Sequence, residues 1–434
     1  MGAYLSEPVT KKISSDESGR NVAFGASSMQ GWRVSQEDAH NCCIEFDEDS
    51  SLFAVYDGHG GHEVATYCAK ELPSFIKNTE AYKSGNIKQA LIDAFLGFDA
   101  ALTKPDIVNI LKEIAGTNNH DKEKQDSCCS GMDILDFRTR SIKQISSFTI
   151  IHYDDQDTED MDDDDSSSDQ LDDDDDDDDE DDDDDDDEDD EDEKEEMITQ
   201  KKCSQPGSDS GCTAVVAVLH EKNLYVANAG DSRCVICRDG EALELSLDHK
   251  PEDQPEMERI VKAGGKVTAD GRVNGGLNLS RALGDHAYKQ NTTLPAHEQM
   301  ISALPDVRHI AIEPERDEFM ILACDGIWNF MSSQEVVRFI RPRLANIKDG
   351  SISKICEELF DHCLAPDTLG DGTGCDNMTA VIVKFNWSPP SSDSATTEQS
   401  VTKKRPISPN TESSPLGETA TSNDSTKRPK TDDV

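Results

Sequence analysis

A long acidic run in the middle of the chain limits what this sequence can fold into more than any other feature. Between Asp154 and Glu196 the sequence contains 34 acidic residues and a single lysine. Like charges at this density repel one another and cannot be buried, so the run is predicted to be disordered. Any folded core must therefore come from the sequence on either side of it.

The acidic run belongs to a longer polar segment, residues 117–207, which has no sustained apolar periodicity. We interpret this segment as an insertion. The flanking segments 21–116 and 208–386 would then form a single discontinuous domain with one large core. Residues 1–20 are polar and are expected to be flexible. Residues 387–434 are rich in Ser, Thr and Pro and are expected to form a disordered tail with basic clusters.

Composition argues against several classes of protein. No apolar stretch of about 18 residues is present, so no membrane span is expected. The N-terminus lacks a secretory signal pattern, and the 13 cysteines therefore favour reduced thiols in the cytosol or nucleus. Cys234 and Cys237 have the spacing of a zinc ligand pair, but they lie in an apolar strand-like run and no histidine partner is near. Core packing is the favoured interpretation of both.

Short apolar runs bounded by turn residues alternate with segments of helical periodicity. Thr213–Leu219, Asn223–Ala229 and Cys234–Cys237 are predicted to form an antiparallel meander. This meander argues against a doubly wound parallel sheet and indicates an α+β fold built around antiparallel sheets. The other predicted strands are Ser51–Tyr56, Phe319–Ala323 and Met378–Phe385, and the predicted helices include Glu256–Ala263, Ser333–Leu344 and Ser351–Leu364.

Four aspartates lie at the ends of predicted strands. Asp57, Asp231 and Asp325 follow apolar strands, and Asp376 precedes one. An aspartate beside a glycine usually marks a turn, but four such positions against buried strands favour a shared cation site. A cluster of carboxylates cannot stay ionised without a compensating charge. Ligand sets made only of oxygen atoms select hard divalent cations, so Mg²⁺ or Mn²⁺ is expected.

Two further residues fit chemistry on a phosphate ester. Arg33 offers a planar fork for phosphate oxygens. His59, two residues after Asp57, is placed to protonate a departing alkoxide. A two-metal site with ions about 3.5–4 Å apart would hold a bridging water of lowered pKa and offset the charge on the phosphoryl oxygens. These residue types therefore predict metal-dependent hydrolysis of a phosphate ester.

Seven motifs occur in an order that resembles the type 2C (PPM) metal-dependent serine/threonine protein phosphatases. The motifs span about 350 residues, and their order is far more specific than any one of them. They are Gln30–His40, Val55–Gly61, Ala229–Arg233, Asp248–Pro251, Ser280–Asp285, Cys324–Trp328 and Asp376–Thr379. The resemblance implies hydrolysis of phosphoserine and phosphothreonine in proteins. It also implies a central β-sandwich of two antiparallel sheets flanked by pairs of helices, in four layers.

The resemblance implies a role for each candidate ligand. Asp57 would bridge two metal ions, and Gly58 would contribute its backbone carbonyl. Asp325 and Asp376 would complete the shell of one ion. Asp231 would bind a weaker third ion, which it would share with Asp325.

The remaining implied roles concern waters and the substrate. Glu37 and Asp38 would hold metal-bound waters, Arg33 would bind the phosphate and His59 would be the general acid. Asn329 stands where the family often has aspartate, but this departure does not touch a ligand. Together with the acidic insertion, Asn329 makes the chain most similar to the nuclear gamma member of the family.

The acidic run has two interpretations. It is either a solvated spacer or a docking surface for basic nuclear proteins such as histones or splicing factors. It should repel nucleic acid. An alternative function is a histone-chaperone-like binding module on a phosphatase scaffold, and a pseudophosphatase is a weaker option because no expected ligand is missing.

Signals near the two ends of the chain bear on location. Lys403–Pro406 and Lys427–Lys430 indicate nuclear import. Gly2 with Ser6 fits the myristoylation pattern, which is compatible with a cytoplasmic or membrane-associated pool, because one acyl chain binds membranes only marginally. The protein is expected to be a nuclear monomer.

Overall fold

The computed structural model describes residues 4–19, 21–116, 205–348 and 350–387. The acidic run, Gly2 and both basic clusters lie outside these residues, so the inferences drawn from them stay predictions. Strands β1–β14 are Tyr4–Ser18, Val22–Arg33, Ala39–Asp47, Ser50–Tyr56, Gly58–His59, Gly211–Cys212, Ala214–His220, Asn223–Ala229, Arg233–Arg238, Glu241–Glu244, Leu283–Gly284, Asp306–Ala311, Asp317–Ala323 and Met378–Phe385. Helices α1–α8 are Glu63–Asn78, Glu80–Lys83, Ile87–Leu102, Pro105–Ile114, Gln254–Lys262, Asp325–Trp328, Ser333–Asn346 and Ser353–Cys363.

Two antiparallel sheets form the centre of the fold. One has the strand order β1-β2-β14-β13-β9-β10 and the other β12-β8-β7-β4-β3. A third, small sheet has the order β11-β6-β5. Helices α1 and α3 pack on the second large sheet, and α7 and α8 pack on the first. The predicted α+β sandwich flanked by helix pairs is confirmed.

Side chains along a strand point alternately to its two faces, and in the central strands both faces are covered by other elements. In β4, Phe53 and Val55 face the other large sheet, where they meet residues such as Met320 from β13. Leu52 and Tyr56 of the same strand face the helices α1 and α3. Because both faces are covered, the positions from Leu52 to Tyr56 are all apolar.

The structure corrects the prediction for the N-terminus. Residues 1–20 were expected to be flexible, but Tyr4–Ser18 forms an edge strand paired with β2. Its side chains are mostly polar and bond to helix α8: Lys12 donates to Asp361 at 2.5 Å and Ser14 to Glu357 at 2.6 Å. A polar edge strand held by such bonds carries no apolar alternation to reveal it.

The predicted three-stranded meander is also wrong in its last strand. Strands β7 and β8 pair with each other as expected, but β9 crosses to the other large sheet and pairs with β13 and β10. Cys234 and Cys237 of β9 are both buried, and they face opposite sides of their sheet. They therefore pack in two different cores, as a strand spacing of three residues requires.

None of the described helices is long and apolar enough to cross a membrane.

Candidate metal centre

A cleft of about 280 Å³ lies at one end of the sandwich. Eight of the predicted site residues line it, and they come from both large sheets and from the loops between them. They are Arg33, Glu37, Asp57, Gly58, His59, Asp231, Asp325 and Asp376. Of the other predicted residues, Asp38 lies against the same site and Gly2 is outside the described residues.

Strand direction explains why these residues meet. Strands β4 and β8 are both antiparallel to β7, so they run in the same direction, and Asp57 and Asp231 follow them at one edge. In the other sheet β13 ends where β14 begins, which brings Asp325 close to Asp376. Strand β2 is antiparallel to β14 and delivers Arg33 to the same end.

Two glycines allow the loops at this end to touch. A Cβ atom on Gly58 would lie 2.2 Å from the carbonyl oxygen of Glu37. A Cβ atom on Gly326 would lie 2.1 Å from the carbonyl oxygen of Asn377. Only glycine permits such approaches, so the two Asp-Gly pairs serve close packing of the site as well as turn formation.

Three carboxylates of the site have no cation partner among the described residues. Burial, followed by the charges of Asp38 and Asp325, raises the pKa of Asp57 well above its usual range. Burial, followed by the charge of Asp231, raises the pKa of Asp325 to about 8. Burial also raises the pKa of Asp38 to about 7. Each of these groups is thus unfavourable as an anion until positive charge is supplied.

The other two aspartates each have a cation partner. Asp231 accepts a hydrogen bond from Lys250 Nζ at 2.6 Å, and only 3% of its side chain is exposed. Asp376 accepts a hydrogen bond from Arg33 Nη2 at 2.6 Å. The protein's own cations therefore balance one carboxylate on each side of the cleft.

The segment that carries Glu37 and Asp38 is attached to the rest of the cleft through Asn377. The Glu37 backbone N–H donates to Asn377 Oδ1 at 3.0 Å, and Asn377 Nδ2 donates to the Gln30 carbonyl at 2.8 Å. Gly61 N–H donates to Glu37 Oε2 at 3.2 Å. These bonds fix the position of the Glu37 carboxylate over the loop that follows Asp57.

His59 is paired with Asp285, a residue 226 positions later in the chain. Its Nε2 lies 2.7 Å from Asp285 Oδ2, and the Asp285 side chain is only 2% exposed. Burial alone would lower the pKa of His59, but the charge and hydrogen bond of Asp285 outweigh it and raise this pKa. Asp285 therefore favours the protonated imidazolium, the form that can donate a proton.

The residues present fit hard divalent cations. Both carboxylate oxygens of Asp38 are buried without a hydrogen-bond partner in the described part of the chain. One of them, an Asp57 oxygen and the Cys324 sulfur lie within 4.8 Å of one another. Buried anionic oxygens without partners are what Mg²⁺ or Mn²⁺ requires, whereas the cluster offers no imidazole and only one sulfur for a softer metal.

Several functional residues were missed by the sequence reasoning. Asp285 and Lys250 lie in motifs quoted above, but the sequence does not reveal the partners of either residue. Asp285 also has a positive φ of 51°. Such a backbone is uncommon for a residue other than glycine and is a recurrent feature of functional sites, but sequence does not reveal it. Leu277 and Asn278, which line the cleft, were missed as well. The expectation that the departure at Asn329 does not touch a ligand is wrong, because Asn329 Nδ2 donates to Asp325 Oδ2 at 2.8 Å.

Comparison with known proteins gives a consistent result. The family model for Protein phosphatase 2C matches residues 22–123 and 118–371. Protein phosphatase 1G of Mus musculus is 43% identical and covers 89% of this chain and 93% of its own length. Probable protein phosphatase CG10417 of Drosophila melanogaster is 40% identical over 89% of this chain and 85% of its own. A crystal structure of a Toxoplasma gondii phosphatase shares the fold, with a TM-score of 0.53 and 20% identity over 87% of this chain and 96% of that one.

Proposed function

Because the chain belongs to the protein phosphatase 2C family, we propose that its cleft hydrolyses phosphoserine and phosphothreonine with two divalent cations. The chain is a metal-dependent protein serine/threonine phosphatase, and the predicted similarity to the gamma member is confirmed. The observation that carries the proposal is the convergence in one cleft of Arg33 and His59 with carboxylates that form no ion pair among the described residues. These are Asp57 and Asp325, and the buried, unpartnered carboxylate of Asp38 lies against Asp57.

The ions would be held by oxygen atoms of residues that line the cleft or lie against it. Asp57 would hold both ions, and the Gly58 carbonyl would contribute a further ligand oxygen. Asp325 and Asp376 would complete the shell of one ion. Glu37 and Asp38 would hold ligand waters. When bound, the ions supply a water of lowered pKa and offset the charge that develops on the phosphoryl oxygens.

Arg33 would orient the phosphate. Its Nη2 donates to Asp376, and its Nε is buried without a hydrogen-bond partner in the described residues. The guanidinium would bind phosphate oxygens through its remaining N–H groups, from a position fixed by the existing bond to Asp376. This restricts the approach of the ester to one orientation, in which the leaving oxygen faces away from the nucleophile.

His59 would protonate the leaving oxygen. Since Asp285 engages Nε2, the other ring nitrogen, Nδ1, is left to give its proton to the serine or threonine alkoxide. The proton moves from the imidazolium to the alkoxide oxygen as the P–O bond breaks, and the imidazole is reprotonated from solvent. Asp285 stabilises the imidazolium and fixes its orientation without taking part in the transfer.

This role makes the effect of His59→Gln depend on the leaving group. Hydrolysis of a phosphoseryl peptide should fall by about 10²–10⁴-fold, the usual contribution of a general acid. Hydrolysis of p-nitrophenyl phosphate should fall far less, since its phenolate leaves without a proton. The measurement is kcat for both substrates in both proteins. If kcat fell equally on the two substrates, His59 would not be the general acid.

The acidic insertion is proposed to dock basic protein substrates. Its charge attracts basic partners by long-range electrostatics. The described chain that follows the insertion is bonded close to the cleft. Gly207 O accepts from the His286 N–H at 3.2 Å, and Ser210 O accepts from the Asp285 N–H at 2.9 Å. A partner bound to the insertion would thus be tethered within reach of the His59–Asp285 pair.

Deleting residues 154–196 should separate docking from chemistry. Turnover of p-nitrophenyl phosphate should be unchanged, while KM for a phosphorylated basic protein should rise by about tenfold or more at low salt. A small, uncharged phosphopeptide serves as the matched control substrate. If the native chain and the deletion variant had equal KM values for the basic protein, docking would be excluded and the run would be a solvated spacer.

A further inference from the structure

Lys250 lies in the wall of the metal centre and bonds to one of its carboxylates. Its Nζ donates to Asp231 Oδ2 at 2.6 Å, and 29% of its side chain is exposed. Burial alone would lower the pKa of Lys250, but the charges of Asp231 and Asp325 outweigh it and raise this pKa. The bond at 2.6 Å places the ammonium directly on a carboxylate that is proposed to bind metal.

The loop that carries Lys250 is fixed to the strands that carry Asp231. Both carboxylate oxygens of Asp248 accept hydrogen bonds from Arg233, each at 3.0 Å. Asn228 Nδ2 donates to the Leu247 carbonyl at 2.9 Å and also to the Gly230 carbonyl at 3.0 Å. The Gly230 N–H donates to His249 Nδ1 at 3.2 Å. These hydrogen bonds fix the backbone on either side of Lys250, and this places its ammonium at Asp231.

We propose that the Lys250 ammonium is a built-in cation that occupies Asp231 and must move away before a third divalent ion can bind there. The inference rests on the proposed function, because it takes Asp231 and Asp325 as the ligands of that third ion. One ammonium cannot share an oxygen at 2.6 Å with a metal ion without strong repulsion between the two charges. Lys250 therefore sets how weakly the third ion binds.

Substitutions at Lys250 separate charge from size. Lys250→Met keeps most of the aliphatic length and removes the charge, so the third ion should bind at least about tenfold more tightly. Lys250→Arg keeps the charge and should bind that ion as weakly as the native protein. Without metal, Lys250→Met leaves Asp231 buried and unpaired, so its melting temperature should fall by about 3–8 °C.

The test measures the melting temperature of the full chain in EDTA and at increasing Mn²⁺ concentrations. Ions bound by the acidic run bind the unfolded chain as well, so by linkage they contribute little to the melting temperature. The Mn²⁺ dependence of melting then reports sites that exist only in the folded protein. The proteins compared are the native chain, Lys250→Met, Lys250→Arg and the double variant Lys250→Met/Asp231→Asn.

The proposal expects the last stabilising phase of the titration to move to about tenfold lower Mn²⁺ in Lys250→Met and not in Lys250→Arg. The double variant should regain metal-free stability and lose that phase, which excludes misfolding as the cause. A lowered metal-free melting temperature with an unchanged Mn²⁺ midpoint would show a purely structural lysine and overturn the proposal. If the native chain itself shows no stabilisation by Mn²⁺, the proposed metal centre fails instead.

Discussion

Asp57→Asn is expected to reduce hydrolysis of a phosphoseryl peptide by at least about a thousandfold while making the metal-free protein more stable. The loss follows because Asp57 is the only candidate ligand proposed to bridge both ions. The gain follows because the native carboxylate is buried beside Asp38 and Asp325 with no cation partner in the described residues. Removing that charge relieves an unfavourable burial, so the melting temperature in EDTA should rise by about 2–6 °C.

The matched control is Asp93→Asn on helix α3, an exposed carboxylate that accepts a bond from Gln89 at 2.8 Å. It should change neither activity nor metal-free stability by a measurable amount. The opposite signs of the two effects of Asp57→Asn distinguish a metal ligand from a structural aspartate. A variant that loses both activity and metal-free stability would contradict the assignment of Asp57.

Arg33→Lys is expected to lower kcat/KM for a phosphoseryl peptide by about 10–100-fold, although the positive charge is kept. An ammonium can still pair with Asp376, but it cannot present two parallel donors to the phosphate oxygens. Inhibition by inorganic phosphate should weaken together with kcat/KM, because the same fork binds the free anion. Both values can be measured in one steady-state series at fixed Mn²⁺.

Arg338→Lys on helix α7 is the corresponding control, since Arg338 is exposed and does not line the cleft. It should leave both constants unchanged. If Arg33→Lys kept the native kcat/KM and the native phosphate inhibition, Arg33 would act only as a counter-charge to Asp376. The phosphate-orienting role would then have to be given to other groups in the cleft.

The positions of the ligands could be predicted from sequence because each is a local feature. An apolar run followed by Asp-Gly marks a strand end whatever the tertiary structure, and Asp57 and Asp325 both have this pattern. Antiparallel pairing brings the strand ends together within each large sheet, and the packing of the two sheets brings both sets to one cleft. The order of motifs added the family and the implied roles.

The partners of the ligands could not be predicted, because they depend on pairings between distant parts of the chain. Arg33 meets Asp376 across 343 positions, and His59 meets Asp285 across 226. No local spacing encodes such contacts. The ion pair of Lys250 with Asp231 spans only 19 positions, but it depends on the path of the loop after β10.

Two features of the fold were not predicted from the sequence. Apolar periodicity predicts strand pairing poorly at the edge of a sheet and where the chain crosses from one sheet to another. Strand β1 is polar because it lies at the edge of its sheet, and its bonds to helix α8 replace apolar packing. Strand β9 has the same apolar pattern whether it continues a meander or crosses to the other sheet. The connection at Gly230–Ser232 carries the chain from one large sheet to the other, and the apolar pattern does not distinguish the two pairings.

The central claim is that this chain hydrolyses phosphoseryl proteins with bound divalent cations. The most direct test is release of phosphate from a phosphoseryl peptide by the purified full chain with Mn²⁺, after EDTA, and after Mn²⁺ is restored, with Asp325→Asn measured in parallel. The claim predicts activity that is abolished by EDTA, recovered with Mn²⁺, and lost in Asp325→Asn under all three conditions. Activity that survives the chelator, or a native chain that binds phosphoprotein without ever releasing phosphate, would contradict it.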